Sequence, residues 1–137
     1  MKIKLDKNKG FLPTRAHEDD AGLDILASED AVIPPNDFAT VETGLHVEIP
    51  KGCVGLLTSK SGLMTKHGIT SRGTIDCGYT GEIRVTLFNG SSEQYEVHKG
   101  DKISQLVILP IITPDLVLVD DLGETDRGDN GFGSTGR

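Results

Sequence analysis

EIRVTLFNG, residues 82–90, decides the fold class. Ile83, Val85 and Leu87 alternate with Glu82, Arg84 and Thr86. That is the two-residue period of a strand with one face in a core and the other in water. Asn89-Gly90 follows as a turn leading into QYEVHKGD at 94–101. Outward from this strand, short apolar stretches recur: IKL at 3–5, LDILA at 23–27, AVI at 31–33, LHVEI at 45–49 and CVGLL at 53–57. ISQLVIL at 103–109 and LVLV at 116–119 complete the series. Gly, Pro, Asn or Asp separates nearly all of them, and 17 glycines with 6 prolines favour many short strands over long helices. The pattern is all-β, of sandwich or barrel type. One short helix is expected at SGLMTKHG, 61–68, with Ser61 as its cap.

At 137 residues the chain suits one domain with a core of its own. Its last apolar strand is expected to stop at Val119, before Asp120, Asp121, Glu124 and Asp126. The expected division is a β domain over 1–123 and a flexible, glycine-rich arm over 124–137. Cys53 and Cys77 form no CxxC pair, which argues against a zinc or redox motif and for two free thiols in a reducing cytoplasm. MKIKLDKNKG at the start has no apolar signal core, and LVILPII at 106–112 is broken by Pro110 and far too short to span a bilayer. A net charge of −7 disfavours a general nucleic-acid binder, although a local basic cluster can still hold a small anion.

Five stretches carry candidate chemistry. In DDAGLDILAS, 19–28, Asp24 stands between apolar residues, as a turn cap or a carboxylate that meets a metal through water. TSKSGL, 58–63, puts Lys60 and small residues at a strand-to-helix junction, either an ordinary helix start or an anion site built on free N–H groups. GTIDCGYTGEIRV, 73–85, reads as a tight hairpin between GITSRGTID and EIRVTLF. Asp76 at its strand end suits a turn residue or a general base, and Tyr79 suits packing or a sugar platform. In HKGDKISQLVIL, 98–109, Gln105 is polar within an apolar strand and must find a partner. The tail RGDNGFGSTGR, 127–137, reads as a loose chain end, but Phe132 can stack on a flat ring and Arg127 can grip phosphate. GFGSTG lacks the GK[ST] ending of a P-loop.

Together and in this order, over about residues 21–136, these stretches resemble the deoxyuridine triphosphatase family of the homotrimeric, all-β type. The resemblance implies a β-barrel or jelly-roll-type fold of short strands with a flexible C-terminal arm that closes over the active site. It implies hydrolysis of dUTP to dUMP and pyrophosphate, keeping dUTP low and supplying dUMP for thymidylate synthesis. By the same resemblance Asp24 helps organise Mg²⁺ through water, and Ser61 and Gly62, with Lys60 where the family usually has Arg, contact the phosphates. Asp76 activates the water, and Tyr79 packs on the deoxyribose. The backbone of Gly73, Thr74 and Ile75 reads the uracil edge, and Arg84 touches the substrate. Gln105 reaches the α-phosphate region. Phe132 stacks over uracil, with Arg127, Gly133, Ser134 and Thr135 around the phosphates. Gly78 and Thr80 stand where many members carry Asp and Arg, and Thr70 and Ser71 fill a region where many have an Asn. Three chains are expected to share each site in a cytoplasmic homotrimer with no nucleic-acid or membrane partner. The alternatives are a dCTP deaminase of the related fold and a nucleotide-sensing binding protein with a regulatory protein partner. The HxE…PCxxC signature of the metal-dependent deaminases is absent.

Overall fold

A computed structural model describes residues 1–131. In chain order it contains β1 (Ile3–Leu5), β2 (Gly22–Leu26), β3 (Ala31–Ile33), β4 (Phe38–Val41), β5 (Leu45–Val47) and β6 (Cys53–Thr58). Helix α1 (Ser61–His67) follows, then β7 (Ile69–Ile75), β8 (Val85–Asn89), β9 (Tyr95–Val97) and β10 (Lys102–Pro110). A six-stranded sheet runs β2-β10-β6-β7-β8-β4, with two-stranded ribbons β1-β5 and β3-β9 beside it. Each ladder is antiparallel. The all-β class read from the sequence is the observed one. Among the described residues, no helix is long and apolar enough to cross a membrane.

The core follows from the alternation. Val85 and Leu87 of β8 point inward and are fully buried, while Thr86 and Phe88 face out. Ile25, Ile33, Val41, Leu45, Ile69, Ile83, Val97 and Leu106 meet them from the other strands. The strand begins at Val85 rather than Glu82. The Glu82 carboxylate instead accepts N–H groups of Thr43 and Gly44, and the Ile83 N–H goes to the Leu45 carbonyl at 2.7 Å.

Four local expectations are corrected. The segment from Asp76 to Arg84 is not a tight hairpin. β7 pairs with β8 only through Ile69, Thr70 and Ser71, and from Arg72 to Ile75 it pairs with β6 instead. Asn89-Gly90 does not join paired strands, because β9 pairs with β3. Asn89 is instead a buried bracket that donates to the carbonyls of Ile33 and Glu93 and accepts from the N–H and hydroxyl of Ser91. Ser61 is the first helical residue rather than the cap, a place taken by Lys60 without a side-chain capping bond. LVLV at 116–119 forms no strand, and Leu116, Val117 and Leu118 are almost wholly exposed, because the last strand ends at Pro110.

Asn89→Ala takes a donor from the carbonyl of buried Ile33, so it is expected to destabilise the fold by roughly 1–3 kcal/mol. A lower urea midpoint at unchanged slope checks this.

Candidate functional site

The change of partner along β7 has a direct consequence. Beyond Ser71, β8 departs and, among the described residues, the edge of residues 73–75 facing away from β6 has no strand beside it. Between this edge and the returning chain lies a cleft of about 510 Å³ lined by Thr74, Ile75, Asp76, Tyr79, Glu82, Ile83 and Arg84. A bare strand edge presents alternating N–H and C=O groups, ready to pair with a planar amide-like edge. Asp76 follows β7 directly, with its side chain exposed on the cleft wall. Its carbonyl accepts the Tyr79 N–H at 3.2 Å, which turns the chain. Gly78 makes the turn at φ 90°, in the left-handed region that favours glycine. The Tyr79 ring folds over Gly81, where an added Cβ would come within 2.4 Å of its hydroxyl oxygen. That hydroxyl donates to the Glu82 carbonyl at 3.0 Å, so the ring is held as a half-exposed platform.

Glu82 anchors the far wall. Burial pushes its carboxyl pKa up, but the Gly44 N–H, Arg84, Lys9 and the Thr43 N–H outweigh that and leave it below the ordinary value. Arg84 is gripped by Glu82 at 3.3 Å and Glu42 at 3.6 Å, and it stays largely exposed at the cleft.

A second group of candidates lies across the sheet. β10 pairs with β2 and β6, and Gln105 is opposite both Asp24 and Thr58, while Thr58 is opposite Arg72. Directly opposed residues share a face, so Asp24, Gln105, Thr58 and Arg72 form one row. The Gln105 side chain lies across Gly22, within 3.1 Å of where a Cβ would be. Just beyond Thr58, the Ser59 hydroxyl locks to Ser71, donating to its carbonyl at 3.1 Å and accepting its N–H at 2.9 Å. Ser104 donates to the Thr58 carbonyl, so the Ser71 hydroxyl must donate to Ser104, at 2.8 Å. This polar seam fixes the start of α1, where Ser61 and Gly62 sit exposed in a first turn whose N–H groups have no helical acceptor.

Asp24 does not present a free carboxylate to a metal. It is 4% exposed, with Lys60 on one oxygen and Lys102 on the other, the latter at 2.8 Å. Burial raises its pKa, but the hydrogen bonds from Lys102 and Lys60 outweigh burial and the net shift is downward. Two ammonium groups on the two oxygens do not fit a cation site. Among the described residues no group of three or more His, Cys, Asp or Glu is arranged to hold a metal.

Thus the chain brings Thr74, Ile75, Asp76, Tyr79 and Arg84 together at the cleft, with Gly73 next to them on β7, and separately Asp24, Lys60, Ser61, Gly62 and Gln105. The polar row meets β7 at Arg72, in the middle of the strand, and the cleft takes the strand's last residues. Arg127 stands apart from both, in a local turn where its Nε donates to the Asn130 carbonyl at 3.0 Å. Phe132, Gly133, Ser134 and Thr135 lie outside the described residues. Sequence reasoning passed over Lys102, Arg72 and Glu82. Lys102 carried no usable signal, since a regular strand would turn it away from the face of Gln105, and a bulge between Lys102 and Ser104 brings it back.

Residues 8–136 match the family model described as dUTPase. A relative from Clostridium tetani, "Deoxyuridine 5'-triphosphate nucleotidohydrolase", is 43% identical over 100% of this chain and 97% of its own length. Among solved structures, the dUTPase of Staphylococcus bacteriophage 80alpha with dUPNHPP superposes at a TM-score of 0.92. That match has 34% identity and covers 99% of this chain and 98% of the other. It is described in the words "Phage dUTPases control transfer of virulence genes by a proto-oncogenic G protein-like mechanism". A variant dUTPase from phage phi11 of S. aureus, described with a structural Mg(II) ion, has a TM-score of 0.82. It is 33% identical and covers 88% of this chain and 97% of the other.

The depressed pKa of Asp24 sets a sign. Its stabilising contribution is fully present above the unfolded carboxyl value, near pH 4, and is lost as pH falls through the folded value. Lys102→Met leaves the buried carboxylate one partner short. It is expected to lower stability at pH 7 by roughly 1–3 kcal/mol and to move acid destabilisation to higher pH. Denaturation midpoints across pH check both effects.

Proposed function

This chain belongs to the dUTPase family, and on that premise we propose that it hydrolyses dUTP to dUMP and pyrophosphate by water attack at the α-phosphorus. The observation that carries the base preference is the unpaired edge of residues 73–75 in the cleft. Uracil presents acceptor, donor and acceptor along one edge, which suits pairing with backbone groups. Thymine's methyl would have to fit against a rigid strand. In this arrangement Tyr79 supports the deoxyribose and Asp76 takes a proton from the attacking water. A general base is typically worth roughly 10²–10⁴-fold in rate.

Lys60, Ser61, Gly62 and Gln105 are the proposed phosphate contacts, with Arg127, Gly133, Ser134 and Thr135 supplied by the arm and Phe132 covering the base. Arg84 supports the substrate from the far wall. Closing the arm would exclude water and complete the site. Mg²⁺ is proposed to come chelated by the triphosphate itself, because Asp24 is already neutralised by two lysines.

The proposed assembly is a homotrimer in which phosphate groups of one chain face the cleft of the next. One observation supports it: the apolar Leu116–Val119 stretch left exposed on one chain. The proposed location is the cytoplasm. A regulatory protein partner is a second role, proposed by analogy with the G protein-like mechanism of the phage dUTPases, and a pull-down with and without dUTP tests it.

Pyrophosphate release from dUTP, dTTP, dCTP and UTP, side by side with Mg²⁺, tests the primary assignment. Release from dUTP alone is expected. Equal release from all four would sink the uracil-reading edge, and ammonia release from dCTP would move the assignment to a deaminase. Asp76→Asn is expected to lose most turnover, by roughly 10²–10⁴-fold, while still binding nucleotide.

A further inference from the structure

His46 lies at the centre of β5, on the side away from the core that Leu45 and Val47 enter. Its two ring nitrogens face two different segments. Nδ1 is 2.9 Å from the Thr80 carbonyl oxygen, and Nε2 is 3.1 Å from Asp6 Oδ1. A carbonyl oxygen only accepts, so the Thr80 contact requires the proton on Nδ1. Asp6 follows β1, which pairs with β5 so that Lys4 lies opposite His46. Lys4 Nζ is 3.8 Å from the same Asp6 oxygen, and Lys2 and Glu48 line the same groove.

Thr80 lies between Tyr79 and Gly81, in the exposed loop that carries the ring platform. Within that loop the bonds are local: Tyr79 N–H to the Asp76 carbonyl, and the Tyr79 hydroxyl to the Glu82 carbonyl. Among the described residues, the one recorded hydrogen bond from Cys77–Thr80 to another element is that from His46. Glu82 and Ile83 are fixed independently, to Thr43, Gly44 and Leu45.

We propose that His46 is a positioning residue for the nucleotide: it braces the Thr80 carbonyl, and through it Tyr79, against the cleft. The Asp6 contact is a hydrogen bond only where Nε2 carries a proton as well. The proposal rests on the assignment of the Tyr79 loop to substrate. It confines the effect to substrate binding, because Asp76 is anchored by the end of β7 rather than by the brace.

Asparagine and glutamine separate the two contacts. The Asn amide nitrogen falls near the place of Nδ1 and keeps a donor for Thr80, whereas the Gln nitrogen falls near Nε2 and keeps one for Asp6. H46Q and H46A are expected to raise KM for dUTP about 3- to 10-fold, the range of one ordinary hydrogen bond, with kcat within about twofold. H46N is expected to stay within about twofold of the parent KM. Equal impairment of H46N and H46Q, or an unmoved KM in H46Q and H46A, would overturn the brace. Amide exchange at residues 77–81 is read on the same variants without nucleotide. It should quicken in H46Q and H46A but not in H46N, and unchanged exchange in H46Q overturns the proposal whatever the activity. A parent chain that releases no pyrophosphate from dUTP would instead overturn the assigned reaction, leaving exchange to decide the brace.

Discussion

Strand β10 is hydrogen-bonded on both edges, with Gln105 opposite Asp24 on one side and Thr58 on the other. Its Leu106 is fully buried, and the core holds this double pairing in register, because a one-residue slip would turn Leu106 to the outer face and Gln105 inward. From that register follow the row of polar residues across four strands, the seam joining Ser104, Ser71 and Ser59, and the placement of Lys60 beside a buried carboxylate. A buried Asp is tolerated only with its charge matched. Here two lysines from different segments match it, tying β2, β10 and the entry to α1 together.

The second constraint is that β7 serves two partners in turn. Its first residues complete the ladder to β8, and its last ones lean on β6. β6 and β8 lie on opposite edges of β7, and the ladder to β8 stops at Ser71, so the chain between Asp76 and Arg84 leaves a cleft with a bare strand edge for a wall. A tight hairpin would have closed that edge with its own backbone. The cleft is therefore a product of strand topology, and only its loop, with Tyr79 and the brace from His46, is locally adjustable.

Much of this was legible in the sequence. The alternation in EIRVTLF marked the strand and its inner face, and the short apolar runs marked most of the others. Asp76 at a strand end, beside Tyr79 and two glycines, was legible because turn chemistry is local. What was not legible depended on partners distant in the chain. β7's change of partner has no local signature, so the segment read as a hairpin. LVLV has every mark of a strand, but among the described residues no strand lies beside it and it stays exposed. Asp24 read as a turn cap or a metal neighbour through water, and its partners Lys60 and Lys102, distant in sequence, meet it only after folding. His46 was passed over, since its two contacts come from the N-terminal segment and the cleft loop.

The proposed separation of base-reading and phosphate-holding groups on one chain has a direct test by complementation. Asp76→Asn and a chain ending at residue 126 each lack one part of the site. If the arm of one chain serves the Asp76 of another, unfolding the two inactive proteins together and refolding them as a mixture restores part of the dUTP hydrolysis, because some sites then combine an intact Asp76 with an intact arm. Recovery above the sum of the separately refolded proteins is the expected result. No recovery, with mixed oligomers shown to form, would place Asp76 and the arm of each site on the same chain and contradict a shared site.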